Sequence, residues 1–152
     1  MTTFTITDAT PDDVEIIASF NEQMALETEG KRLDPERIRA GVGGVFDVPG
    51  RGFYLVARAG DEPVGCLLVT FEWSDWRNGL IWWIQSVFVR ADWRRRGVYR
   101  ALYSALEPRA RASGAIGFRL YVEDENSGAQ DTYEALGMRH AGYQVYEDLL
   151  DP

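Results

Sequence analysis

With 152 residues the chain has the length of one compact domain, enough to bury roughly 68–70% of the surface that an extended chain exposes. Hydrophobic residues at 45% and charged residues at 26% exclude a disordered, collagen-like or fibrous chain, and a formal charge of −8 argues against nucleic acid as the main partner. The single Cys66 excludes an internal disulfide, and with His140 the only histidine, no clustered Cys/His metal or catalytic centre is expected.

Thr3 to Thr7 alternates Phe4 and Ile6 with threonines and reads as a short, half-buried strand. Thr10-Pro11-Asp12-Asp13 then starts a helix: a capping hydroxyl, proline at the first position, and two carboxylates at the positive end of the dipole. Its apolar side runs through Val14, Ile17, Ala18, Phe20 and Met24 to about Glu27, and Gly30 ends it. Asp34-Pro35-Glu36 repeats the start signal for a second helix bearing Ile38, Val42 and Val45, which stops before Pro49-Gly50.

From Gly52 the period changes to that of strands. Phe53–Ala59 and Val64–Phe71 are predicted to form a hairpin around a turn of about four residues, Gly60-Asp61-Glu62-Pro63. Leu80–Val89 is the most apolar run and belongs mid-sheet, yet it is far short of the ~20 residues that cross a bilayer. Met1-Thr2-Thr3 opens no basic-then-apolar leader, so a cytoplasmic protein with no membrane partner is expected. Val98, Ala101, Leu102, Ala105 and Leu106 make an amphipathic helix ending near Ser113-Gly114. Phe118, Leu120 and Val122 alternate as a strand, Asn126–Leu136 is a helix ended by Gly137, and Met138–Tyr146 is predicted to supply one or two closing strands. No internal repeat or linker interrupts residues 1–152, which read as one mixed α/β domain.

The chemistry concentrates between Ile81 and Tyr103. Arg90, Arg94, Arg95, Arg96 and Arg100 stand against Asp92 alone, a focused local charge of +4 in an acidic chain. A turn from a buried strand into a helix gathers backbone N–H groups and the positive dipole end at one spot, and Gly97 lets that backbone approach an anion closely. Such a corner suits a diphosphate, with arginines adding charge-assisted bonds. It is neither a Walker loop, since no Gly-Lys-Ser/Thr follows, nor a dinucleotide fingerprint.

Arg94-Arg95-Arg96-Gly97-Val98-Tyr99 resembles the acetyl-CoA loop Q/R-x-x-G-x-G/A of the GNAT superfamily of N-acetyltransferases, with Tyr99 in place of the usual small residue. A second stretch, from Asn126 through Ala129 and Tyr133 to Gly137-Met138, is similar to that family's N-x-x-A-x-x-x-Y-x-x-x-G-F/M helix. The resemblance implies a mixed α/β GNAT-like fold: a central, mostly antiparallel sheet of six to seven strands with about four helices on both faces. It implies acetyl-CoA as co-substrate, with CoA as product. Arg94 to Arg100, including Val98 and Tyr99, would lie at the diphosphate. The backbone of Val87, Phe88 and Val89 would lie along the pantetheine arm, with Asn126, Ala129 and Tyr133 opposite. A homodimer is compatible with it.

The residues add their own reading. Asn126 and Tyr133 are two helical turns apart, with Ala129 leaving room between them. Tyr133, whose ordinary pKa is near 10, stays protonated at neutral pH and suits a general acid for a departing thiolate. A lysine-like acceptor amine of pKa about 10.4 must first lose a proton. Glu72, beside Trp73, is the candidate base, with Glu27 and Glu29 next; an N–H near Ser86 or Val87 would hold the oxyanion. Strand alternation puts Trp82, Ile84 and Ser86 on one face and Trp83, Gln85 and Val87 on the other, where Trp83 and Gln85 would meet the acceptor with Trp73, Trp76 and Glu72. The expected activity is acetyl transfer to a primary amine of a small molecule or peptide by direct attack in a ternary complex. The alternative is a catalytically silent acyl-CoA-binding module.

Overall fold

The computed structural model describes residues 3–151; the Met1-Thr2 start read above for a leader lies outside them. The chain divides into a larger unit up to Tyr121 and a smaller one from Val122 onward. In the larger unit, strand β1 (Thr5–Asp8) leads through a 3-10 turn, Pro11–Asp13, into helices α1 (Val14–Glu29) and α2 (Pro35–Asp47). Then come β2 (Gly52–Ala59), β3 (Glu62–Ser74), β4 (Gly79–Val89), a second 3-10 turn at Ala91–Trp93, α3 (Val98–Ser113) and β5 (Gly117–Leu120). The sheet order is β1-β2-β3-β4-β5, antiparallel through β4, with β5 parallel to β4 through the α3 crossover.

Local signals explain the helices. Asp34 Oδ1 accepts the Glu36 N–H at 3.0 Å and caps α2, while Gly30, at φ +64, closes α1. Asp13 does more than favour a dipole: its Oδ2 accepts the Thr10 N–H at 2.9 Å and pairs with Arg58 at 2.7 Å, tying the start of α1 to β2.

Two apolar cores sandwich the sheet. On one face Val98, Leu102, Leu106 and Ala110 of α3 pack on Leu55, Leu67, Val69, Trp82 and Ile84. On the other, Ile17 and Phe20 of α1 and Val42 of α2 pack on Tyr54, Val56, Cys66 and Phe88, with Phe20 and Phe88 stacked at 4.9 Å. The sheet has five strands among the described residues, not six to seven. The Met138–Tyr146 run expected to supply closing strands contains no strand; Gly142 turns the chain there at φ +82 and donates its N–H to His140 Nδ1 at 3.0 Å. The β2–β3 turn is also tighter than expected. Gly60-Asp61 suffices, and Pro63 joins β3 opposite Arg58, before β4 begins to pair at Gly65. A missing N–H is tolerated at such a position.

The smaller unit contains α4 (Ser127–Ala135). Asn126 caps it by accepting the Ala129 N–H at 3.1 Å, and Gly137, at φ +93, closes it as Met138 N–H returns to the Tyr133 carbonyl at 3.0 Å.

Candidate active site

The centre of the larger unit is an irregularity in β4. Cys66 of β3 faces Phe88 and Leu68 faces Gln85, so Ser86 and Val87 together oppose the single Leu67. This is a β-bulge, and Ser86 carries its strain at φ +51. The extra residue shifts the strand's alternation by one. Trp82 and Ile84 face α3, Trp83 and Gln85 the opposite side, as expected; beyond the bulge Val87 and Val89 turn to the α3 core and Phe88 to the α1 core. Val87 therefore does not share a face with Trp83 and Gln85. The ladder to β5 ends at Ile84↔Leu120, just before the bulge. From Gln85 to Val89 the β4 backbone runs on past the end of its ladder with β5. β4 and β5 thus part after Ile84↔Leu120.

That stretch of β4 leads into the arginine turn. Arg95 at φ +63 and Gly97 at φ +82 wind the backbone tightly into α3, whose first internal bond runs from Ala101 N–H to the Gly97 carbonyl at 3.0 Å. The amides of residues 98–100 precede that bond and point out of the positive end of the helix. A Cβ built on Gly97 meets nothing within 4 Å, so the glycine serves the left-handed turn and leaves the approach to those amides open.

The arginines divide into two sets. Arg90 pairs with Glu62 and with Asp92, and Arg94 Nη2 pairs with Glu27 at 2.6 Å while its Nε donates to the Val89 carbonyl at 2.9 Å. These two are structural clamps; Arg94 binds the end of α1 to the end of β4 and lies over the Phe88 ring. Arg95, Arg96 and Arg100 are exposed and have no carboxylate within ion-pairing distance among the described residues. Arg96 stacks over Trp93, 4.8 Å from the ring centre. Tyr99 lies along α3 beside Tyr103, ring centres 6.3 Å apart. Three unneutralised guanidiniums around a helix N-terminus make an anion cradle, and the donor set fits a diphosphate.

On the side of the sheet that carries α1 and α2, but farther along the strands, lies a polar and aromatic strip. Glu72 Oε1 accepts from Trp83 Nε1 at 2.6 Å and from Arg119 Nη1 at 3.1 Å; Gln85 Nε2 donates to Thr70 Oγ1 at 2.5 Å. Tyr121 packs on the Trp83 ring at 4.5 Å and remains 59% exposed. The structure brings Glu72, Trp83 and Gln85 together. Trp73, one residue beyond Glu72, falls on the other side of β3; Trp73 and Trp76 are exposed. Glu27 is committed to Arg94, and exposed Glu29 pairs with Lys31 at 3.7 Å. Arg119 and Tyr121 were missed by sequence reasoning, since only the parallel register Trp83↔Arg119 reveals them as neighbours of the tryptophan.

In the smaller unit, Ala129 and Tyr133 lie one turn apart on α4, and Asn126 is its cap. Burial pushes the Tyr133 phenol above its ordinary value of 10.0. Among the described residues no group of three or more His, Cys, Asp or Glu side chains is placed to hold a metal, and no helix is long and apolar enough to cross a membrane.

A bulged mid-sheet strand that parts from its neighbour and feeds an anion-receptive helix is the arrangement that the resemblance to the GNAT superfamily implies. Comparison with known proteins agrees. The model of the Acetyltransferase (GNAT) family matches residues 15–138. A possible acetyltransferase from Clostridium difficile 630 is 40% identical, covers 97% of each chain, and superposes with a TM-score of 0.89. Thialysine N-epsilon-acetyltransferase from Caenorhabditis elegans is 26% identical over 137 residues, 90% of this chain and 83% of that protein. An aminoglycoside N-acetyltransferase in complex with CoA shares the fold alone, at 16% identity, coverage of 97% and 95%, and a TM-score of 0.80. The chain belongs to the GNAT acetyltransferase family, and the chemistry of that family is acyl transfer.

Proposed function

We propose that the protein is an acetyl-CoA-dependent N-acetyltransferase, moving an acetyl group to a primary amine of a small molecule or peptide by direct attack in a ternary complex. The observation that carries the proposal is the parting of β4 from β5 at Ile84↔Leu120, followed by a helix start ringed by Arg95, Arg96 and Arg100. The family supports it at the level of chemistry, as does a relative named Thialysine N-epsilon-acetyltransferase.

In this reading the amides of Val98, Tyr99 and Arg100 and the three exposed guanidiniums receive the diphosphate. The backbone of Val87, Phe88 and Val89 bonds the pantetheine amides much as a strand would. Acetyl-CoA supplies a thioester whose carbon takes the amine nitrogen as the C–S bond breaks. The bulged amides near Ser86 and Val87 are assigned the oxyanion, because a bulge frees N–H groups from the ladder. Tyr133, kept protonated by burial, is assigned the proton for the leaving thiolate, with Asn126 and Ala129 on the same helix assigned to the pantetheine arm.

Glu72 is the acceptor-side carboxylate. Three to four residues separate the level of Trp83 from the bulge, about 10–13 Å at a strand rise near 3.3 Å. Glu72 therefore meets a remote part of the acceptor, and the proton of the attacking amine leaves through water. Calorimetry with CoA and thiol release over a panel of amines test the proposal together. Binding with turnover supports it, binding without turnover on any amine points to the silent acyl-CoA module, and absence of binding overturns both.

A further inference from the structure

At the end of the sheet opposite the arginine turn, β3 and β4 join through the turn of residues 75–78, about 23 Å along β4 from Ser86. Trp76 is 90% exposed in that turn, Trp73 is 60% exposed at the end of β3, and Ile116, whose side chain lies against Gly79, is 48% exposed. The turn is tied down by its own hydrogen bonds. Ser74 Oγ accepts the Arg77 N–H at 3.3 Å, Asp75 Oδ1 accepts the Trp76 N–H at 2.8 Å, and the Asn78 N–H returns to the Asp75 carbonyl at 3.3 Å. Large apolar side chains gathered in water on a fixed scaffold mark an interaction surface. We infer that this turn is where a second copy of the chain docks about a two-fold axis, Trp76 against Trp76, with Asp75 of each copy against Arg77 of the other.

Charge selects the occupant. A carboxylate and a guanidinium flank Trp76, and neither Asp75 nor Arg77 forms an ion pair among the described residues. In a two-fold contact residue i meets j and j meets i. An axis through Trp76 therefore brings each carboxylate to the other copy's guanidinium, and the turn is its own complement. The net charge of −8 repels a second copy over most of the surface, whereas in residues 73–78 Asp75 and Arg77 cancel, so approach is least opposed here. A strongly basic or acidic partner gains no long-range attraction from a patch without net charge. Area sets the strength. Two tryptophans of ~150–250 Å² each supply roughly 300–500 Å² per copy and 600–1,000 Å² over both, to which Ile116 and the polar rim add. That approaches the ~1,200 Å² at the lower end of specific interfaces and corresponds to a weak, reversible dimer with Kd on the order of 10–100 μM.

Sedimentation velocity of the full chain, at concentrations from below to above that Kd, is the test. The wild type should pass from monomer to dimer. Trp76→Ser should stay monomeric at an unchanged melting temperature, since a side chain this exposed holds little in the monomer. Asp75→Arg and Arg77→Asp should each raise Kd by at least ~10-fold, because each sets like charges across the axis. Mixed in equal amounts, these two variants carry opposite signs at both contacts and should form a heterodimer at wild-type affinity or tighter. The double variant Asp75→Arg/Arg77→Asp should likewise pair with itself. A wild type that stays monomeric throughout overturns the inference. A dimer that survives Trp76→Ser does so too, because its interface lies elsewhere. A dimer lost in Trp76→Ser but indifferent to both charge reversals, or not regained in the mixture, removes the two-fold pairing. Each readout is independent of CoA binding and turnover, so the acetyltransferase reading stands or falls separately.

Discussion

Gly97 holds φ +82 in open space, so a side chain there meets no neighbour and acts on the backbone turn and on whatever approaches the helix start. Gly97→Ala is expected to cost about 1 kcal/mol of stability through the left-handed conformation alone. Gly97→Glu should cost a similar amount but weaken CoA far more, by at least ~10-fold in Kd, because it sets a carboxylate among anion donors. Calorimetry beside thermal melts checks this, and equal affinities of the two variants would remove the diphosphate from that corner. Tyr133→Phe should leave CoA binding intact and lower kcat by about 10²-fold. Since burial raises the phenol above 10.0, it holds its proton across the neutral range and loses it only at higher pH; the alkaline fall of kcat in the wild type should lie above pH 10 and vanish in the variant. The arginine turn was legible because three arginines, a glycine and the flanking apolar periodicities are contiguous. The Arg94–Glu27 clamp was not, since its partners are 67 residues apart and nothing local marks them.

At the scale of elements, β4 and α3 position everything else. Gly65 of β3 lets them approach: a Cβ there would stand 2.9 Å from the Phe88 carbonyl oxygen and 3.2 Å from Val98 Cγ1. Gly65→Ala should push the end of β4 away from the start of α3, costing on the order of 1–3 kcal/mol and weakening CoA as well, which unfolding curves and titration measure side by side. Leu102, fully buried in the α3 core, should cost about 2–5 kcal/mol as Leu102→Ala in denaturant unfolding while leaving the CoA affinity of the folded fraction unchanged. Several helix ends were readable, the start of α2 from Asp34 and the stops of α1, α3 and α4 from Gly30, Gly114 and Gly137, since caps depend on neighbours in sequence, whereas Thr10 marks the 3-10 turn Pro11–Asp13 and α1 begins only at Val14. The bulge was not, because strict alternation from Trp82 to Val89 presumes a regular pleat, and Ser86 carries no residue signal for φ +51. The same limit hid Arg119 and Tyr121, which join the strip only through strand register.

For the molecule as a whole, the two cores differ in how they answer to pH. Burial lifts the Cys66 thiol from 9.0 to about 12 and the Tyr54 phenol from 10.0 to about 12, and both belong to the core beneath α1 and α2. Unfolding releases these protons at their ordinary values, so the folded chain binds them more tightly. Stability from this source is complete below pH 9 and declines as pH rises towards 12. Denaturant midpoints measured from pH 8 to 11 should fall, and Cys66→Ala should flatten the earlier part of that fall. The native thiol should also resist modification until the chain opens.

The supernumerary residue in β4 puts a change of phase into a single strand. Up to Gln85, odd positions look towards the strip and even positions into the α3 core; from Val87 onward the parity is reversed. A saturation scan along the strand should show tolerance to polar replacement at every second site, then skip a beat at residues 86 and 87 and resume on the opposite count. Removing one residue at the skip would restore the regular pleat and leave Phe88 opposite Cys66 on the α1 side, so a deletion there should spare folding while removing the bulged amides, and its cost should fall on turnover.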